Sequence, residues 1–273
     1  MNKRFFYLVL ASCLSFVASA HKTDTISVSA AGYLPTDMNV TVITPDTPKP
    51  ADGFNTVYLL NGFGGDNNSW TIVRPDLGEW ADRYGMVFVL PSGMDTWYWD
   101  APANPDVRME SFFTEVLVPY IDSNYPTNPT AQHRAITGLS MGGHGGLWLG
   151  LRHPDIWKNC GSTSGGVDIR PFPERWKMKE ALGAKDENPE LWDAYTVTTL
   201  VPTLKPGVNN IIFDCGVDDF FADVNNNLHQ ALVDAKIPHD FISRPGAHNN
   251  PYWRNALPYQ LWFFQTHFEE AEN

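Results

Sequence analysis

What most restricts the fold of this chain is the order of its apolar segments. Short strand-like runs at 57–60, 87–90, 134–137, 160–164, 211–215 and 240–243 alternate with stretches of helical spacing. In 75–84, for instance, Leu77, Trp80, Ala81 and Tyr84 share one helical face. Further helices are expected at 109–121, at 142–152 (stopped before Pro154), at 223–235 and at 259–268. Strands alternating with helices require crossover units, and hence a mainly parallel central sheet with helices on both faces. The strands expected at 25–29 and 40–44 are too close for a helical crossover, so they should form an antiparallel edge. Residues 168–205 break the rhythm with many Pro, Trp and charged residues and no clear strand. They read as a small helical insertion over the sheet edge. No internal repeat or interdomain linker interrupts 21–273, which suits a single α/β domain.

The first twenty residues read as a targeting segment. Lys3 and Arg4 precede an apolar run at 5–17, and Ala18-Ser19-Ala20 has the small-x-small form of a cleavage site. The run is too short for a helix to span a bilayer of about 30 Å. Leu10-Ala11-Ser12-Cys13 also resembles a lipoprotein box, but the residues after Cys13 stay apolar where a mature terminus should turn polar. Cleavage after Ala20, and a secreted or periplasmic protein, is the expectation.

The formal net charge is −12, and it becomes two units more negative once Lys3 and Arg4 leave. Phosphate neutralisation needs basic patches, so a nucleic-acid partner is not expected, and neither is stable membrane insertion. Cys160 and Cys215 sit in strand-like runs and read as buried thiols, with a bridge as the alternative.

The chemistry centres on Gly138-Leu139-Ser140-Met141-Gly142. A G-x-S-x-G alone is a weak signal. Here it joins a strand to a helix, a turn tight enough to strain its central residue and lift the serine hydroxyl to a helix N-terminus. This is the nucleophile elbow of an α/β-hydrolase fold. A serine needs a base, which in this fold follows the acid downstream. Of His229, His239, His248 and His267, only His248 falls just past the carboxyl end of a strand, where sites of open α/β sheets collect. The acid should follow the run at 211–215, where Asp218 and Asp219 both qualify, and spacing does not separate them. Oxyanion donors are expected from the backbone N–H of Met141 and, in the loop Asn61-Gly62-Phe63-Gly64-Gly65, from Phe63. Trp97, Tyr98 and Trp99 follow another strand and are candidates to line the substrate site, or to anchor their loop in the core. His144, one helical turn past Ser140, reads as helix packing. No His/Cys/Asp/Glu cluster has metal-site spacing, so neither metal nor cofactor is expected.

Four motifs carry a family resemblance: Leu59-Leu60-Asn61-Gly62-Phe63-Gly64-Gly65 through Trp70, Gly138-Leu139-Ser140-Met141-Gly142-Gly143, Cys215-Gly216-Val217-Asp218-Asp219-Phe220, and Pro245-Gly246-Ala247-His248. Their order resembles the esterase D-like family of tributyrin, feruloyl and acetyl-xylan esterases, S-formylglutathione hydrolases and mycolyltransferases. The resemblance implies Ser140 as nucleophile, His248 as base and backbone donors at Phe63 and Met141. It also selects Asp219, the fifth residue of the family's C-G-x-x-D pattern, as the acid. One departure stands out, Asn61-Gly62 where the family usually has His-Gly.

The function so implied is hydrolysis of acyl esters through an acyl-enzyme, with acetyl or feruloyl groups on plant polysaccharide as the substrate class. Transfer of the acyl group to a sugar hydroxyl by the same triad is one alternative. A non-catalytic glycan-binding relative is another, and the intact Ser140, His248 and Asp219 weigh against it.

Overall fold

The computed structural model describes residues 21–272. The expected cleavage after Ala20, and the alternative at Cys13, lie outside the described residues. Eight strands form one open sheet: β1 Lys22–Val28, β2 Met38–Thr44, β3 Asn55–Leu60, β4 Met86–Pro91, β5 Arg134–Gly138, β6 Asn159–Thr163, β7 Asn210–Gly216 and β8 Asp240–Arg244. Their spatial order is β1-β2-β4-β3-β5-β6-β7-β8. β2 pairs antiparallel with both β1 and β4, and every later pairing is parallel. The antiparallel edge thus falls at the amino-terminal strands, where a connection too short for a crossover puts it. This is the α/β-hydrolase architecture.

The period of two along each strand builds two cores. Val57 and Leu59 of β3 face α1 Ser69–Val73, α2 Leu77–Tyr84 and the long α9 Asn250–Ala271, meeting Trp70, Leu77, Leu257 and Leu261. Tyr58 and Leu60 face the other way, toward Phe112 and Phe113, α5 Met141–Arg152 and α8 Ala222–Asp234. Cys160 and Cys215 are both buried and free. Across the β6–β7 pair Cys160 stands opposite Ile211, four positions and roughly 13 Å of strand from Cys215, too far for a bridge.

Two prolines change what periodicity predicts. The stretch expected to be a plain helix at 109–121 is α3 Met109–Phe112, a π turn Phe113–Leu117 and α4 Val118–Asn124. Pro119 has no N–H for the carbonyl four residues back, and the chain widens into the π turn just before it. The last helix, expected from Tyr259, begins nine residues earlier and runs through Pro258. Proline there leaves the Arg254 carbonyl without its helical donor. Arg74 supplies one, its Nη1 donating at 3.0 Å. The helix start is fixed by Asn249, whose side chain accepts the Tyr252 N–H at 3.1 Å.

The segment 168–205 contains α6 Met178–Leu182, α7 Pro189–Ala194 and a 3-10 turn Val197–Thr203. It packs on the loop after β4 and on α5 rather than over an edge strand. Tyr195 stacks on Trp148 and donates its hydroxyl to the Asp100 carbonyl, and Trp97 donates its indole N–H to the Trp176 carbonyl. The apolar partners it needs lie there, because the loop after β4 carries Trp97 and Trp99.

Glu110 ties α3 to the end of α5. Its carboxylate accepts from the Trp148 indole at 2.9 Å and from Arg152 Nε at 2.8 Å, and lies 2.7 Å from His153 Nε2. Burial works to raise its pKa. Hydrogen bonds from His153, Arg152 and Trp148, with the Arg152 charge, overcome burial and leave it below the usual carboxylate value. A lowered folded-state pKa stabilises the fold above the unfolded value, and the gain is lost as pH falls through the folded one. Glu110→Gln should therefore cost about 2 kcal/mol at pH 7. In thermal melts, the gap to wild type should close as pH drops below about 4. A gap independent of pH would mean the carboxylate charge contributes nothing.

Candidate active site

The elbow between β5 and α5 sets the site. Ser140 has φ +59° and ψ −117°, a backbone state that a side chain adopts only when its surroundings impose it. The flanking glycines make room for it. A Cβ on Gly142 would sit 2.3 Å from the Leu60 carbonyl oxygen, and one on Gly138 would sit 2.5 Å from the Gly142 carbonyl. The Ser140 N–H donates to the Thr163 carbonyl at 3.0 Å, which fastens the turn to β6.

Two loops at the same end of the sheet bring His248 and Asp219 to this serine. His248 follows β8, and its Nε2 lies 2.9 Å from Ser140 Oγ. Its Nδ1 lies 2.9 and 3.1 Å from the two oxygens of Asp219. An ionised carboxylate only accepts, so Nδ1 carries the proton and Nε2 is left as the acceptor for the serine hydroxyl. The Asp219 side chain is wholly withdrawn from solvent, and its Oδ1 also takes the Phe221 N–H at 2.8 Å. Asp218 is exposed, and its N–H donates to the Gly246 carbonyl. The other downstream histidines sit apart from Ser140: His229 pairs with His239, and His267 with Glu270.

The loop after β3 comes close over the serine, so that a Cβ on Gly62 would lie 3.2 Å from Ser140 Cβ. The N–H groups of Phe63 and Met141 have no acceptor among the described residues. Both are free to receive a developing oxyanion. Asn61 has a definite task where the family usually carries His. Its Oδ1 accepts the Gly93 N–H at 2.8 Å, and its carbonyl accepts the Tyr98 hydroxyl at 3.0 Å. It joins the loop after β3 to the loop after β4.

Trp97, Tyr98 and Trp99 do not line the cleft. All three are buried, and each polar tip is already engaged: Trp97 by the Trp176 carbonyl, Tyr98 by Asn61 and Trp99 by His144. They are the floor on which the loops rest. The cleft above Ser140 has a volume of about 520 Å³, and its walls are Phe63, Ile72, Val73, Trp176, Phe220 and Trp253. The Phe220 ring lies 4.2 Å from His248, and Trp253 meets the imidazole edge-on at 5.0 Å. His144 accepts the Trp99 indole N–H at Nε2 and faces the Gly166 carbonyl through Nδ1. Burial pulls its pKa down to about 4, against a smaller upward pull from that carbonyl. It is a neutral packing residue. Among the described residues, no group of three or more His, Cys, Asp or Glu could hold a metal ion. No described helix is long and apolar enough to cross a membrane.

Comparison with known proteins gives concordant relatives. A family model described as "Putative esterase" matches residues 31–264. The S-formylglutathione hydrolase of Rattus norvegicus is 29% identical over 233 residues, covering 84% of this chain and 72% of that protein. An acetyl esterase of Caldicellulosiruptor saccharolyticus is 25% identical over 225 residues, covering 76% of this chain and 82% of its own. A solved structure described as a ferulic acid esterase is 26% identical with a TM-score of 0.77, covering 91% of this chain and 99% of that one.

Proposed function

The chain belongs to the esterase family and is a carboxylic ester hydrolase; from that premise we propose a secreted enzyme that removes bulky, aromatic acyl groups of the feruloyl kind from plant polysaccharide. In this reading Ser140 is the nucleophile, His248 the base and Asp219 the acid. The observation that carries it is the unbroken line from Asp219 through His248 to the strained Ser140, at 2.9 Å on either side of the imidazole.

Ser140 Oγ attacks the ester carbonyl carbon while His248 Nε2 takes its proton. The carbonyl oxygen gains the charge and rests on the N–H groups of Phe63 and Met141 at the start of α5. The imidazolium, held by Asp219, returns the proton to the departing alcohol and leaves an acyl-serine. Water then attacks the acyl carbon, losing a proton to His248; the bond to Ser140 Oγ breaks, His248 returns that proton to Oγ, and the carboxylic acid leaves.

The walls supply the acyl preference. Phe63, Trp176, Phe220 and Trp253 line the cleft with aromatic side chains, and Ile72 and Val73 add aliphatic surface, a lining suited to a flat apolar group. Export is supported by the amino-terminal pattern of Lys3, Arg4, the apolar run and Ala18-Ser19-Ala20.

A panel of p-nitrophenyl acetate, p-nitrophenyl butyrate, ethyl acetate, ethyl ferulate and acylated xylan tests the reading. Compared at the same leaving group, ethyl ferulate should exceed ethyl acetate in kcat/KM by about tenfold or more, the discrimination available to an apolar pocket. A preference for acetyl would remove the aromatic acyl group from the proposal, and failure to hydrolyse any of the esters would remove the proposal itself.

A further inference from the structure

The loop that carries Phe63 turns back on itself at Gly62–Gly65, where the Gly65 N–H donates to the Gly62 carbonyl at 3.0 Å. The two inner residues of such a turn keep their N–H groups unused. Gly64, at φ +76°, has a backbone that favours glycine in that place. Its N–H donates to Asp95 Oδ1 at 2.6 Å. The Phe63 N–H is the one left for the substrate. Asp95 therefore fixes the turn through the N–H that substrate does not use.

Asp95 is itself held in an unusual way. Met94, Asp95, Trp97 and Tyr98 all have positive φ, as do Trp176 and Lys177 of the insertion. Backbone strain repeated over two facing segments persists only where the surroundings over-determine it. Here they do. Lys177 Nζ lies 3.5 Å from Asp95 Oδ2 and 5.7 Å from the centre of the Phe63 ring. The Trp97 indole N–H holds the Trp176 carbonyl at 3.1 Å, and Asn61 ties the Gly93 N–H to the same turn.

The geometry points to Asp95 as a positioning residue for the oxyanion donor Phe63, with Lys177 of the insertion holding the Asp95 carboxylate. This rests on the reading of Ser140 as nucleophile and Phe63 as donor. The insertion then shapes the cleft through Trp176 and also stiffens the donor loop. A donor aimed by a fixed acceptor is worth more in the transition state than in substrate binding, because the charge it meets develops only on attack.

The experiment compares wild type with Asp95→Ala, Asp95→Asn and Lys177→Met on p-nitrophenyl acetate, measuring kcat, KM and melting temperature. Removing an oxyanion donor outright costs about 10²–10³ in kcat, and a donor that remains but is mis-aimed loses less. Asp95→Ala should lower kcat by about tenfold or more with KM nearly unchanged. Asp95→Asn keeps an oxygen for the Gly64 N–H and should recover most of that loss. Lys177→Met changes an exposed side chain and should fold even if Asp95→Ala does not; it should lower kcat severalfold at constant KM. Unchanged kcat in Asp95→Ala, or in Lys177→Met where Asp95→Ala does not fold, overturns the assignment. So does a loss carried by KM alone, or an equal loss in Asp95→Ala and Asp95→Asn. Loss of turnover in Ser140→Ala beside an unaffected Asp95→Ala would strike this inference and leave the parent reading standing. Turnover that survives Ser140→Ala would strike the parent reading first.

Discussion

Ser140→Ala is expected to lose about 10⁶ in kcat, the scale on which a triad loses function when its nucleophile goes. The substitution removes one oxygen atom and little else. Alanine retains the Cβ, so the strained backbone at φ +59° is no harder to hold than with serine. The hydroxyl caps no helical N–H, so α5 keeps its start. The melting temperature should stay within a few degrees, since a change that leaves packing and caps in place stays near 0.5 kcal/mol. What remains is the cleft with its oxyanion donors, which by themselves still accelerate the reaction about 10³–10⁴-fold over water. A serine-directed phosphonate should add its mass to Ser140 in the wild type and to nothing in the variant. Turnover near wild type in Ser140→Ala would place the nucleophile elsewhere and dissolve the reading of the elbow.

Much of this arrangement is legible in the residues, and the parts that are not have physical reasons. The alternation of 57–60, 87–90 and 134–137 with helical spacing yields the sheet, because burial on both faces of a strand leaves a short apolar run bounded by turns. The place of His248 follows from its position just past a strand, where the topology gathers loops. Asp218 and Asp219 are not separated by spacing, since neighbours on a turn differ in direction and direction is set by the turn's hydrogen bonds. The start of α9 is hidden because Pro258 reads as a boundary until Arg74, distant in sequence, supplies the missing donor to Arg254. Trp97, Tyr98 and Trp99 mislead for a similar reason. Aromatic residues in a loop look alike in sequence whether they meet substrate or core, and only the partners of their polar tips decide. The rings that do wall the cleft come from four separate segments, Phe63 among them from the loop after β3. Phe220 adjoins Asp219, and Trp253 lies five residues past His248, a hint that was available. Trp176 offers no local signal, because the insertion reaches the cleft through packing on segments distant in sequence, the loop after β4 and Phe220 and Phe221.

Asp219→Asn should be nearly inactive at neutral pH, and Asp218→Asn nearly normal. The two carboxylates are adjacent in sequence and opposite in circumstance. Asp219 is closed off from solvent, and its oxygens stand 2.9 and 3.1 Å from His248 Nδ1. Replacing one oxygen by an amide NH₂ can place a donor against Nδ1. The imidazole then answers by presenting its lone pair there and moving its proton to Nε2. In that tautomer Nε2 has nothing with which to accept the Ser140 proton, and the imidazolium formed during attack loses its counter-charge. In well-studied triads this substitution costs about 10⁴ in turnover while the geometry stays intact. Asp218 faces water and caps nothing, since α8 begins after Phe221 with no side-chain cap. Its loss should therefore fall within about 0.5 kcal/mol in stability, with little change in rate. Turnover of the two variants on p-nitrophenyl acetate separates the roles. The reverse order would move the acid to Asp218 and require the loop after β7 to refold in solution. Equal and mild effects would mean that His248 keeps its tautomer through some other partner, and that the 2.9 Å contact with Asp219 is not what orients the base.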